Sequence, residues 1–303
     1  MIGYQFQYTN SINSESIIFN DYTTDPQNFF TIQESPEFVL GIVHDERKKE
    51  GQHGIFDTNS WYDKRAISFT GKIVAESRSK MLELSNKMIK VFALPIQPES
   101  IEDGYNELKF TDEDGDEWFT MAKVQEYPKF TEILAFPYVR DFLILLKAKD
   151  VNVYSTIEHT ELFGFTYYTG SLKLPTKLPA KFLPIYHNVT TITNAGNSDA
   201  PCIIRIYGDA YNPKILNETV NKFVRLATIT ILSTDYIDID MNNGTVIKNG
   251  TIDVSGYVTA DSKFFFLKPG ANIIRYTDDN PIPIFSWTTP TAHGTITYRD
   301  TKI

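Results

Sequence analysis

Five histidines, one cysteine and 38 acidic side chains are the groups in this 303-residue sequence best able to carry protons, bind metals or attack a substrate. Such chemistry needs the reactive atoms to converge, which fixes spacings such as H-E-x-x-H, a G-x-S-x-G elbow or a glycine-rich phosphate loop. None of these is present, and His44, His53, His159, His187 and His293 are scattered without ligand spacing. Asp112, Asp114 and Asp116 begin like a calcium loop, but Glu117 stands where the turn glycine belongs and Lys123 where the closing glutamate belongs. The run is better read as an Asp-Gly hairpin turn. Asp238 and Asp240 alternate with Ile237, Ile239 and Met241, the pattern of a strand's solvent side rather than a catalytic dyad. Cys202 alternates with Ile204 and Ile206 as a small buried hydrophobe would, and a lone cysteine excludes an intrachain disulfide or a cysteine-rich zinc site. Trp61, Trp118 and Trp287 could each stack on a sugar ring or fill core. Trp287, between Pro283 and Pro290, is the one expected to be exposed and is the candidate carbohydrate contact. The expectation is a chain that is not an enzyme, with no catalytic, metal or cofactor-binding residue.

The elements that would position any site are mostly strands. In residues 65–75, Ile67, Phe69, Ile73 and Ala75 share one face with Gly71 among them, and Ser68, Thr70 and Lys72 the other, a half-buried strand. From Ser77 the period becomes helical, with Met81, Leu84, Met88 and Val91 as a stripe that Leu82, Ile89 and Phe92 widen, ending before Pro95. This helix is expected to cover one sheet. Residues 44–62 read as a long polar loop with a mixed-sign charge run, punctuated by Gly51 and Gly54 and ending in Trp61 and Tyr62. The apolar run 142–146 suits a strand buried on both faces. Beyond a proline-punctuated stretch at 171–186, short strand candidates follow one another, and Asn243-Gly244 and Asn249-Gly250 are hairpin signals, which together describe a sandwich.

Composition gives the limits. The length favours two domains, 1–152 and 153–303, with the boundary where apolar density falls after residue 150. The 21 Phe and 17 Tyr favour strands. A formal charge of −9 argues against a surface built to grip duplex nucleic acid. The start, MIGYQFQYTN, lacks a secretory leader, so synthesis in the cytoplasm without cleavage is expected, and the sequons at Asn188, Asn217, Asn243 and Asn249 read as turns. No apolar run reaches membrane-spanning length.

Several stretches in order resemble one family. EGQHGIFDTNSWYDKRAISFTGKIVAES with the helix, DGDEWFTMAKV and YVRDFLILLKAKDVNVYS are similar to the N-terminal half of the distal tail proteins of long-tailed, siphovirus-type bacteriophages. LKLPTKLPAKF, NAGNSDAPCIIRIYGDAYNPKILNET, FFFLKPGANIIRY and ITYRDTKI are similar to their C-terminal half. Gly51, Gly54, Arg65, Gly71, Arg140 and Phe142 look like the family's ring-domain pattern, and Gly208, Asn212, Pro213, Pro269, Gly270, Asn272 and Arg299 its outer-domain pattern.

The resemblance implies a mainly β chain: an N-terminal β domain with one helix that forms a hexameric ring, and a C-terminal galectin-like sandwich outside it. It implies a structural virion protein at the distal end of the tail, joining the tube to the tip or baseplate and letting DNA pass. The implied partners are copies of itself, the tail tube, tape-measure and tail-associated tip proteins, and receptor-binding proteins, with DNA only in transit and no membrane insertion. Residues 44–62, with Trp61 and Tyr62, are the expected contact with a neighbouring copy. A carbohydrate-binding module that aids attachment to the host wall is the other reading, although no complete galectin sugar site lies on matching positions.

Overall fold

A computed structural model describes residues 5–11, 14–33, 37–48, 55–94, 104–112, 114–133, 136–167, 185–279 and 291–303. The chain divides into two compact units, Met1–Thr156 together with Ile303, and Ile157–Lys302. The division falls slightly later than the expected 152, because the short strand Val153–Ser155 pairs with Glu117–Glu132 and so belongs to the first unit.

The first unit comprises β1 (Phe6–Thr9), β2 (Ser16–Phe19), β3 (Phe29–Ile32), β4 (Glu37–Lys48), β5 (Ile55–Val74), α1 (Arg78–Val91), β6 (Tyr105–Thr111), β7 (Glu117–Glu132), β8 (Val139–Ala148) and β9 (Val153–Ser155). Its pairings close on themselves: β1 with β2, β2 with β3, β3 with β5, β5 with β8, β8 with β7, β7 with β6 and β6 with β1. This is a seven-stranded ring of hydrogen bonds, a barrel, and closure removes most of the free edges an open sheet would present. The period-two pattern dictates what fills it. Phe6, Tyr8, Ile17, Phe19, Ile67, Phe69, Ile73, Leu108, Phe142, Ile144 and Leu146 point into one buried cluster.

The helix joins the same core. Ser77 caps it, its hydroxyl accepting the Lys80 N–H at 3.2 Å, and Met81, Leu84, Met88 and Val91 are buried as the spacing requires. Full burial of side chains such as Met88 and Val91 stabilises by about 1.5–3 kcal/mol each. Phe92 ends the helix and stacks on Tyr8, with ring centroids 4.3 Å apart. Leu82 and Ile89, expected to widen the stripe, are exposed instead. They sit one position beyond the buried Met81 and Met88, and the added rotation carries them off the narrow face that the barrel covers.

The largest correction concerns residues 44–62. The described parts are the two strands of a long antiparallel hairpin, with register from Glu37↔Ser68 to Lys48↔Ile55. Residues 66–74 of β5 also pair with β8, whereas residues 55–65 pair with β4 alone, so a two-stranded ribbon runs on past the closed ring. Charged residues are common on such edge strands, which is why the run reads as a loop. The apolar run in β8 also behaves differently from expectation: Phe142, Ile144 and Leu146 are buried, while Leu143 and Leu145 on the opposite face are only half-buried.

The second unit comprises β10 (His159–Tyr167), β11 (Ile185–His187), β12 (Val189–Asn194), β13 (Cys202–Tyr207), β14 (Ala210–Tyr211), β15 (Lys214–Asn217), β16 (Lys222–Arg225), β17 (Thr230–Ile231), β18 (Tyr236–Asp240), β19 (Thr245–Lys248), β20 (Ile252–Asp253), β21 (Gly270–Thr277) and β22 (Thr291–Tyr298). Seven strands form one sheet in the order β11-β10-β22-β13-β18-β19-β20, four form a second in the order β12-β21-β15-β16, and β14 pairs with β17. Ile204, Ile206, Ile237, Ile239 and Ile296 of the first sheet share a buried core with Ile192, Ile215, Ile274 and Tyr276 of the second, a two-sheet sandwich. The turn at Asn249-Gly250 has positive φ at both residues, as a two-residue hairpin turn requires. Thr228 adopts φ 59° between β16 and β17.

Candidate functional site

Among the described residues, neither unit gathers its reactive side chains beyond pairs such as His159 with Asp300, 3.0 Å apart. Among the described residues no group of three or more His, Cys, Asp or Glu could hold a metal ion. Asp112 holds its own hairpin turn: one carboxylate oxygen accepts the Asp114 and Asp116 N–H groups at 3.0 and 2.9 Å, and the other accepts the buried Trp118 indole N–H at 2.8 Å. Asp238 forms a two-point pair with Arg205 across the strands, at 2.7 and 2.8 Å, and Arg205 lies over the Tyr236 ring. Cys202 is buried, and burial, with Asp240 nearby, pushes its thiol up to about 12. These groups are committed to structure. The surfaces and the positions singled out by resemblance are what remain.

In the barrel, Gly71 and Phe142 are directly paired across β5 and β8. A methyl group at 71 would lie 2.1 Å from the Thr31 carbonyl oxygen and 2.4 Å from the Phe142 ring, so the ring packs where only glycine leaves room. Arg140 ties the helix to the barrel: it donates to Ser85 Oγ of α1 at 3.2 Å and to Glu132 of β7 at 2.9 Å, and covers the Phe130 ring. Arg65 is buried where the ribbon meets the barrel, 5.7 Å from the centre of the Phe38 ring, and burial lowers its pKa against the opposing pull of Asp150. Gly51 and Gly54 lie outside the described residues.

The ribbon carries an exposed apolar face. The register shift between Leu40 and Ile42 sets Asp63 and Lys64 of β5 opposite Gly41, a bulge in β5, so Ile42 and Tyr62 stay on the face of Phe38, Leu40 and Arg65 and become exposed further along the ribbon, while Val39 is exposed on the other face. Tyr62 pairs directly with Ile42, and both are exposed. Trp61 pairs with Val43 one position further on. The two aromatic positions expected in a loop are thus held by a strand, which fixes their spacing.

In the sandwich, Gly208, Asn212 and Pro213 form the crossing from one sheet to the other. At Gly208 a methyl group would meet the Leu232 carbonyl oxygen at 1.7 Å. Asn212 adopts φ 49°, accepts the Ile229 N–H at 3.2 Å and donates to Asp279 at 3.2 Å, while the Pro213 carbonyl accepts the Leu226 N–H. Pro269, Gly270 and Asn272 form a second fastening. Gly270 takes φ 87°, and the buried Asn272 side chain accepts the Lys268 N–H at 2.9 Å and donates to the Lys268 and Gly270 carbonyls at 2.7 and 3.0 Å. Arg299 pairs with Glu158 at 3.0 Å. Trp287 lies outside the described residues.

Two buried positions of the same kind escaped sequence reasoning. Asn217 caps the turn after β15 and donates to Asn272 at 3.4 Å; its sequon drew attention only as a turn. Gly294 repeats the device at Gly71, with Phe163 as the ring, 2.4 Å from where its methyl would be. A glycine inside a strand pattern was the available signal.

Residues 195–289, which contain both fastenings of the sandwich, match the model of the siphovirus-type tail component, C-terminal domain. The fold is similar to the crystal structure of the Dit protein of phage SPP1, described as a paradigm of the hub adsorption apparatus in phages that infect Gram-positive hosts. The TM-score is 0.62 at 13% identity, covering 99% of this chain and 100% of that one. Two structures of the phage p2 baseplate in its activated conformation, with Ca and with Sr, align at TM-scores of 0.46 and 0.45. Both are 10% identical, cover 100% and 99% of this chain, and 99% and 98% of their own. No curated protein matches the sequence. Residues 195–289 thus carry the siphovirus-type tail component C-terminal domain, and the chain over its whole length has a fold similar to that of the SPP1 Dit protein.

Proposed function

We propose that this chain is a structural component of the distal end of a phage tail, where six copies form a ring that joins the tail tube to the tip apparatus. The first unit, residues 1–152 in the sequence reading, is the ring-forming part, and the second, 153–303, is the outer sandwich. The observation that carries this is the agreement in fold over 99% of this chain and 100% of a phage hub protein, together with the family domain at 195–289. The ribbon of β4 and β5 supports it, because a ring of identical chains needs a surface on each copy that fits an unlike surface on the next. Ile42 and Tyr62, exposed and directly paired across the ribbon, offer such a surface.

The role is geometric rather than chemical. The tube, tape-measure, tip and receptor-binding proteins are the partners this position in a tail requires, and DNA is a passenger. A formal charge of −9 per chain suits a channel from which a polyanion must not be held back. Negative-stain microscopy of the purified chain, with light scattering for mass, tests the reading. A ring with a central hole and the mass of six chains is expected. A strict monomer, or turnover of cell-wall material by the purified protein, would overturn it.

A further inference from the structure

The exposed apolar face of the ribbon has a counterpart elsewhere in the same unit. Where β7 turns into β8, beside the first turn of α1, a cavity of about 190 Å³ is lined by Met81, Ile133, Phe136, Pro137 and Val139, with Arg78 and Glu132 also lining it. Phe136 is 61% exposed, and Tyr138 beside it is also exposed. Leu82, on the outer side of α1 and four residues on from Arg78, adds a further exposed apolar side chain near this notch.

We infer that the notch formed by α1 and the β7–β8 turn of one copy receives the apolar ribbon face of the next copy. The inference rests on the ring proposed above and names the second half of its contact. Three observations carry it. Both surfaces are apolar and exposed, Ile42 at 56% and Phe136 at 61%. They cannot meet within one chain: Tyr62 and Val74 lie on a single continuous strand, about 40 Å apart at about 3.3 Å per residue, and Val74 pairs with Val139 in the wall of the notch. Finally, the two surfaces are unlike, which is what head-to-tail closure requires and what a two-fold contact does not. The notch carries one charge of each sign, Arg78 and Glu132, and the ribbon sequence likewise carries Asp45, Glu46, Arg47 and Lys48. Contact of apolar surface at the centre with mixed charges at the rim is the usual anatomy of a specific interface.

Cysteine cross-linking of the full chain tests the inference, since Cys202 is the only native cysteine and is buried. The variants are Ile42→Cys, Phe136→Cys and the double variant, oxidised mildly and run on a denaturing gel. The double variant is expected to give a ladder of linked multimers and the mixed single variants a dimer, while neither single variant alone gives one. Phe136→Asp should weaken self-association at least tenfold by light scattering. Dimers from one single variant alone would show a two-fold contact and overturn the inference. So would absence of any ladder while light scattering still reports hexamers, and in that case the ring itself would stand. A chain that stays monomeric would remove the ring and, with it, the contact.

Discussion

Replacing Asn272 by alanine tests whether the outer sandwich depends on the fastening at Pro269 to Asn272. The side chain is fully buried and makes three bonds to the backbone of its own turn, at 2.7, 2.9 and 3.0 Å, and accepts a fourth from Asn217. Lys268 and Gly270 are exposed, so their backbone groups can turn to water and each lost bond costs near the net value of about 1 kcal/mol. Asn217 is fully buried and cannot, and its unsatisfied amide adds about 1–3 kcal/mol. With partial rehydration of the turn the total is about 3–5 kcal/mol, a large share of a domain's typical stability of about 5–15 kcal/mol. Urea titration, read by hydrogen exchange of the β12 and β21 amides so that the second unit is followed by itself, measures it. Asn272→Asp separates the contributions. An aspartate still accepts from Lys268 N–H but cannot donate to either carbonyl, and its second oxygen faces them, so it should be no more stable than the alanine variant. An alanine variant within about 0.5 kcal/mol of the parent, the range of ordinary surface changes, would refute the reasoning.

Three other outcomes follow from the same geometry. Gly71→Ala should destabilise the barrel by about 3 kcal/mol, because the methyl meets a backbone carbonyl as well as a ring; Phe142→Leu in the same chain should restore only part of this in a urea titration. Cys202 should resist thiol reagents in the folded chain and react on unfolding, as a mass shift after alkylation with and without denaturant would show. His293 stacks on Tyr276, and burial lowers its pKa below the ordinary histidine value, with Asp278 opposing. The unfolded chain therefore binds this proton more readily, so the second unit should lose stability as pH falls through about 6.5 and below. His293→Gln should flatten that dependence in melting temperatures taken from pH 8 to 5.

How much of this was legible in the sequence depends on what kind of interaction fixes each feature. The cap at Ser77, the helix stripe of Met81, Leu84, Met88 and Val91, and the Asn249-Gly250 turn are set by residues within a few positions of one another, and the sequence displays them directly. The closure of the barrel is not local. It depends on β2 meeting β3 in parallel at Phe19 and Phe30, a pairing that no pattern in either strand announces. The ribbon was misread for a related reason. Over residues 55–65 its strands pair only with each other, so neither face is required to be apolar, and a charge run such as 45–49 is compatible with strand and loop alike. The exposure of Leu82 and Ile89 was equally out of reach, since a hydrophobic helix face does not say how much of it the chain itself covers.

Resemblance singled out positions whose physical reason appears only in three dimensions, and the reasons are of one type. Gly71, Gly208, Asn212, Gly270 and Asn272 each stand where the backbone is crossed, turned or approached too closely for an ordinary residue. The unrecognised Gly294 obeys the same rule, with Phe163 over it as Phe142 lies over Gly71. An enzyme concentrates its demanding positions around reacting atoms. Here they are spread through both units, at the places that keep strands in register and loops in place, while the exposed apolar side chains Val39, Ile42, Tyr62, Phe136 and Tyr138 all belong to the first unit. A contact surface carried on a rigid frame loses less entropy when it binds, and repeated around a ring that saving recurs at each contact. The proposed ring accordingly asks only for unlike surfaces on the first unit that meet from one copy to the next.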